Sequence, residues 1–272
     1  MKRQEAAIQL TALAVLVAVL TAAPGCAGGI GSEQCLVGSS NVTTKEFDFD
    51  DFTRLHVGSA FEFEVDKADS YGVTITVNEN LFDYLELFQE EETLTIRLKP
   101  WHSYSNATQK AHIALPDLRG LNLSGATDGK VRGFSSSHPL DLDLSGASSL
   151  DIDDLEAGAT TVDVSGASTA KGNMTMAKGR FDVSGASTIE LEGSASEASI
   201  ELSGASNAGL ADFSVVVATV DLSGASRATI NVSGTLDCDL SGASRLNYVG
   251  NPALGHVEVS DACTLSQISR GG

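Results

Sequence analysis

Basic residues are scarce in this 272-residue chain: 17 Lys and Arg stand against 36 Asp and Glu, a formal charge of −19. Nucleic acid as a partner is thereby excluded, because binding a phosphate backbone needs a basic footprint. Aromatic side chains make up only 6% of the sequence, with a single Trp, while Gly, Ser and Ala are abundant. That composition alone would fit disorder, but 42% of the residues are apolar and they alternate in order, which a disordered chain does not do. No apolar stripe of period 3.6 runs long enough for the helices of a helical repeat protein. Catalytic and metal signatures are missing too. The sequence has no GxSxG elbow, no HExxH, no cysteine cluster, no EF-hand loop and no RTX nonapeptide, and its five His are scattered at 56, 102, 112, 138 and 256. A non-catalytic protein without a cofactor is the expectation.

What is present is repetition. The word SGAS begins at Ser145, Ser165, Ser184, Ser203, Ser223 and Ser241, with SGAT at Ser124 and a worn SDAC at Ser260. Successive words are 18 to 21 residues apart, the mark of a solenoid. Three residues before each word stand Leu121, Leu142, Val162, Phe181, Ile200, Val220, Cys238 and Val257; one residue before it stand Leu123, Leu144, Val164, Val183, Leu202, Leu222, Leu240 and Val259. Between these apolar columns lies a polar one, and in, out, in alternation is a half-buried strand. A second alternation follows each word, as in Leu150 and Ile152 or Ile189 and Leu191. The expected fold is all-β, a single-stranded parallel β-helix with coils of about 19–20 residues, each of two or three short strands joined by tight corners. In the corner, Gly supplies a conformation closed to other residues, Ala is small enough to stack inside the bend, and the serines bond nearby backbone.

From 46 to 120 the period is lost while the strand pattern persists, so larger or less regular coils are expected there, ahead of the regular coils at 121–265. Before them, residues 1–25 read as an export signal: Lys2 and Arg3, an apolar run from Ala6 to Ala23 too short for an ordinary span, then small residues. "TAAPGC" resembles a bacterial lipobox, with Pro24 its unusual member; the resemblance implies a lipid on Cys26, and residues 26–45 then form a tether. An ordinary cleaved signal and a retained anchor are the alternatives. Cys35 falls in the tether, and the repeat places Cys238 and Cys263 at different points around successive turns, so no disulfide is specified.

The segments "VGSAFEFEV", "YGVTITVNENLFDYLELFQEEETLTIRLKP" and "HIALPDLRGLNLSGAT", taken in this order with the recurrent SGAS, resemble the auto-transporter adhesin head GIN domain family over about 47–265. The resemblance implies an exported right-handed β-helix, usually bacterial, with an adhesive role and no catalytic residues.

Two groups stand out as candidate sites. The polar column carries Asp143, Asp163, Asp182, Glu201, Asp221, Asp239 and Glu258, one carboxylate per coil. At a spacing of about 5 Å, neighbouring charges repel by roughly 0.8 kcal/mol even in bulk water. Splayed side chains, raised pKa values, serine hydroxyls or bound cations must offset this, with calcium the candidate ion and a solvated face the plain alternative. The second group is Trp101 and Tyr104 in "KPWHSYSNATQK", able to stack on a sugar or to cover the core. The functional expectation is an exported, membrane-tethered β-helix of adhesive or structural surface display. Its partners would be a cell-surface polymer or another protein, with self-association through terminal coils, whose strand edges are unpaired. A polysaccharide-binding or polysaccharide-cleaving β-helix is the alternative, although coils this uniform leave little material for a cleft.

Overall fold

The computed structural model describes residues 35–269. Signal and lipidation site, residues 1–25 and Cys26, lie outside the described residues. The described residues form a parallel β-solenoid, as the alternation predicts, closed at one end by antiparallel strands. Each coil lies in register on the next: Leu142 beside Val162, Asp143 beside Asp163, Leu144 beside Val164. The apolar columns point inward and are buried from Leu121 through Leu240. At about 1.5–3 kcal/mol for each Leu, Val, Ile or Phe removed from water, these columns are what closes the coil. Phe181 and Phe213 meet edge to face in the middle of the core, ring centroids 6.0 Å apart. Among the described residues no helix is long and apolar enough to cross a membrane.

Three expectations need correction. First, the five coils between Ser145 and Ser241 are not built from two or three short strands, whereas the coils on either side are, with Asp128–Arg132 and Leu140–Leu144 before them and Arg245–Val249 and Ala253–Val259 after. Ser149–Val164, Thr169–Val183, Thr188–Leu202, Asn207–Leu222 and Arg227–Leu240 are each one continuous strand. Only the SGAS corner interrupts pairing, and the other bends are taken inside the strand, where the register shifts after Ile152, Glu190 and Leu210. Second, Ala is not inside the corner. Ala147 and its counterparts are exposed, and it is the last residue of the word, such as Ser148, Ser168 and Ser187, that is buried.

Third, the irregular region is not a run of larger coils in chain order. Arg54–Val57 and Glu62–Lys67 form a coil that lies directly under Gly120–Leu123 and Asp128–Arg132. Beneath it, out of sequence, lie Thr93–Leu98 and Gln109–Leu115. The chain then closes this end with antiparallel partners: Leu85–Glu90 on 93–98, Gly72–Asn78 on 109–115, and Val42–Phe47 outermost on 72–78. An antiparallel cap is accessible because short turns suffice to form it, as at Glu91 with its φ of 52°. Part of the expected tether also belongs to the fold. Cys35–Val37 pairs with Ser103–Ser105, and buried Asn78 holds the following loop by donating from Nδ2 to the Ser39 carbonyl (2.7 Å) while its Oδ1 accepts from the Thr108 N–H (2.6 Å).

Candidate functional site

The serines of the corner word belong to a turn and are not nucleophiles. Gly146, Gly166, Gly185, Gly204, Gly224 and Gly242 all have φ between 70° and 77°, the left-handed region that glycine enters without cost. The carbonyls of Gly146, Gly166, Gly185, Gly204 and Gly224 each accept from the alanine N–H of the next coil, as Gly146 does from Ala167 at 2.8 Å. The buried final serines donate to the carbonyl of the serine that begins the same word: Ser148 to Ser145, Ser206 to Ser203 and Ser226 to Ser223, each at 2.8 Å. Their hydroxyls are committed to folding the corner.

The structure assembles the acidic column as one row. Asp143, Asp163, Asp182, Glu201, Asp221, Asp239 and Glu258 lie in unbroken register across consecutive coils. It also extends the row beyond Asn122, which heads the polar column in the sequence, to His56 and Thr95, which the sequence reading missed. Asn122 precedes Asp143, His56 precedes Asn122, and Thr95 precedes His56. The signal was there: "LHVGSA" aligns with "LNLSGA", and Ser59 takes a φ of 60° where Gly125 takes 80°.

Compensation along the row is uneven. Asn122 Nδ2 donates to Asp143 at 2.9 Å. Arg180, one position off the row, holds Glu201 with two hydrogen bonds of 2.8 and 3.2 Å and lies 3.8 Å from Asp182. His256 reaches Glu258 at 3.5 Å. Among the described residues no ion pair reaches Asp163, Asp221 or Asp239. Burial and then the neighbouring carboxylates raise the pKa of Asp163 and of Asp221, with Arg180 partly offsetting the rise at Asp163. At the start of the row, burial and then Arg97 hold His56 below its ordinary value, against the pull of Asp143. The serines beside the row donate to backbone carbonyls of the previous coil, Ser145 to Leu123 at 3.1 Å and Ser165 to Leu144 at 3.4 Å, and not to the carboxylates.

A second row, on the far side of the corner, alternates in sign: Glu64, Lys130, Asp151, Lys171 and Glu190 stand in register. Here Lys171 meets Asp151 at 3.1 Å, and an open groove of about 680 Å³ runs along the row past Gly172 and Gly209. The position six residues after the start of the first four words carries this pattern, and Gly209, Thr229 and Asn247 end it in the coils that follow. At its cap end, Glu64, Asp66 and His112 bring ligand atoms within 4.8 Å of one another. Arg132 already occupies that cluster, donating to Glu64 at 2.7 Å and Asp66 at 2.8 Å, so it is an ion-pair network and a poor cation site.

Trp101 and Tyr104 are not brought together. Tyr104 packs with Tyr84 and His102, at 6.4 and 6.2 Å between ring centroids, and its hydroxyl donates to the Lys99 carbonyl at 2.8 Å. Its pKa is pushed up to about 12, by burial and then by Tyr84 and Glu86. Trp101 stands apart, 86% exposed, with a φ of 68°. Cys238 is a buried free thiol and Cys263 a half-buried one, so these two do not pair.

Solved structures share this architecture. A putative adhesin from Parabacteroides merdae ATCC 43184 is 20% identical with a TM-score of 0.81, the match covering 86% of this chain and 98% of that one. A putative adhesin from Parabacteroides distasonis ATCC 8503 is 18% identical with a TM-score of 0.80, covering 86% and 100%. A putative lipid binding protein from the same organism is 18% identical with a TM-score of 0.73, again covering 86% and 100%. At these identities the likeness is one of fold. No curated protein matches the chain. A family model does match, over residues 51–252, and the chain belongs to the family described as "Putative auto-transporter adhesin, head GIN domain".

Proposed function

We propose that the chain is exported, held to a membrane by lipid on Cys26, and acts without catalysis as an adhesive or structural surface module. The observation that supports this reading is the uniform stack itself. Its outward residues line up as one acidic row of seven carboxylates and one row of five alternating charges, with an open groove along the second. Such a surface suits a long polymer or another repetitive partner, which it would meet at many weak points rather than in one pocket. The mass of the mature N-terminus tests the anchor: a diacylglyceryl group on Cys26 is expected, and a free or absent Cys26 would overturn it. Adhesion of cells lacking the protein, or carrying Cys26→Ala, tests the role; adhesion equal to wild type in the deletion strain would overturn it.

Loosely held cations belong to the same reading, since among the described residues no ion pair reaches Asp163, Asp221 or Asp239. Calorimetry with calcium on the protein tests specific binding, and the absence of heat at millimolar calcium rules it out. The alternative, a polysaccharide-binding or polysaccharide-cleaving protein, is favoured by the exposed Trp101. Glycan-array binding that is lost in Trp101→Ala would support it, and turnover of an acidic polysaccharide would be needed to call it an enzyme.

A further inference from the structure

The two ends of the stack are finished differently. At the first end the antiparallel strands 72–78, 85–90 and 42–47 cover the lowest parallel coil, and the outermost strand carries the charged, exposed pair Lys45 and Glu46. At the other end, Ala253–Val259 and Thr264–Gln267 pair on one side only, with 235–240 and 245–248. Among the described residues nothing pairs with their other side. The core columns therefore surface: Leu254 and Val257 are 49% and 37% exposed, whereas Leu236 and Cys238, on which they lie in register, are 0% and 2% exposed. Val259 and Ile268 are exposed in the same way. The strand edge on this side presents unpaired N–H and C=O groups, a template for another strand.

We propose that this face receives a second copy of the chain, last coil against last coil, about a two-fold axis at Val257, to give a closed dimer. The asymmetry of the ends carries the choice of symmetry. Head-to-tail addition would need a bare parallel edge at the first end, where the antiparallel cap stands, so growth stops at two. Charge carries the choice of register. In an antiparallel pair centred on Val257, His256 faces Glu258 of the partner copy, and the arrangement occurs twice by symmetry. A centre one residue later sets Glu258 against Glu258, and one residue earlier sets His256 against His256. Only the Val257 register pairs imidazole with carboxylate and keeps an apolar side chain on the axis. Size agrees as well: one coil offers about 20 residues, the number each side gives to an interface of standard size. Its centre is apolar at Leu254, Val257 and Val259, and its rim is polar at Glu258 and Asp261.

Sedimentation of the full chain over a dilution series, in detergent that masks the N-terminal apolar run, tests this. A monomer–dimer equilibrium is expected, with Val257→Asp weakening it about a hundredfold by setting two carboxylates on the axis. His256→Glu and Glu258→Arg, both at exposed positions, should each weaken it about tenfold, and the double variant should regain most of the loss because every facing pair is again of opposite sign. Circular dichroism matching wild type guards against a folding artefact. A monomer at every dilution, assemblies that grow beyond two, or a dimer indifferent to Val257→Asp would overturn the dimer. A double variant no tighter than either single one would overturn the two-fold at Val257.

Discussion

The regular coils at 120–267 and the first region at 35–115 solve one problem in two ways. Both must bury an apolar core inside stacked strands. The regular coils do so with one corner, near-identical columns and, in the five central coils, one continuous strand, so each rung packs on its neighbours and the central rungs are close to interchangeable. The first region uses an out-of-order coil, three antiparallel strands and side-chain ties such as Asn78, and only its coil at 54–67 resembles those above. Repetition makes a stack but cannot end it. Ending it takes strands that run against the stack, and among the described residues these stand at the first end.

The largest test of this contrast lies in the corners. A Cβ on Gly166 would sit 2.3 Å from the Gly146 carbonyl oxygen, with φ at 76°. A Cβ on Gly125, the first regular corner above the first region, would find its nearest atom, the Ser59 nitrogen, at 3.4 Å. Gly166→Ala should therefore cost about 3–4 kcal/mol, strain and a backbone clash together, and Gly125→Ala about 1 kcal/mol, strain alone. Urea denaturation of the two variants measures the difference. Equal losses would mean that the stacked glycine column does not differ from the junction.

Titration should separate the regions next. The raised pKa of Asp163 means that the folded state binds this proton more tightly than the unfolded chain does. Repulsion in the row is therefore fully present at neutral pH and relieved as pH falls through the raised value. Asp117, in the link between the first region and the regular coils, is the reverse. Burial opposes its ionisation, but hydrogen bonds from Arg119 and His138 outweigh burial and hold its pKa below the usual value. Its contribution is present above the unfolded pKa and is lost as pH falls through the lowered one. Asp163→Asn should then stabilise the protein at pH 7, with the gain fading in acid, while Asp117→Asn should destabilise it at pH 7, with the loss fading in acid. Thermal melts against pH decide, and parallel curves for the two variants would remove the distinction.

Arg180→Ala is a smaller perturbation of the same row. It frees Glu201 and Asp182 and takes away the one cation that offsets the raised pKa of Asp163. A further rise at Asp163, read by carboxyl NMR, and a stability loss that shrinks with added salt are expected, because both ends of each pair are exposed. A salt-independent loss would place the role of Arg180 in packing instead.

Much of this was legible beforehand, and the rest was hidden for definite reasons. A period near 19 and strict alternation make the coil visible because each rung repeats the same physical demand. The row from Asp143 to Glu258 followed directly. The corner alanine was misplaced because smallness marks a residue for tight places generally, whereas here the buried place is taken by a serine that bonds its own turn. Thr93–Leu98 lies under Arg54–Val57 through pairings of distant segments, which no local pattern encodes. The row of Glu64, Lys130, Asp151, Lys171 and Glu190 could have been read at a fixed offset from each word, but its change of sign hides it from a search for sameness.

The smallest effects should come from the loop that carries Trp101 and Tyr104, where exposure and strain point in opposite directions. Tyr104→Phe removes the hydroxyl that donates to Lys99 and should cost about 1 kcal/mol. Trp101→Ala should change stability by less than about 0.5 kcal/mol, because an 86% exposed ring packs against little. Trp101→Gly should go further and stabilise the protein by about 1 kcal/mol, since glycine enters a φ of 68° without the steric penalty of a side chain. A large exposed ring held at a strained position adds nothing to the fold that a glycine would not improve. Denaturant melts of the two Trp101 variants measure this directly. If Trp101→Gly is instead less stable than wild type, the ring does pack on the cap, and the case for Trp101 as an outward ligand contact fails.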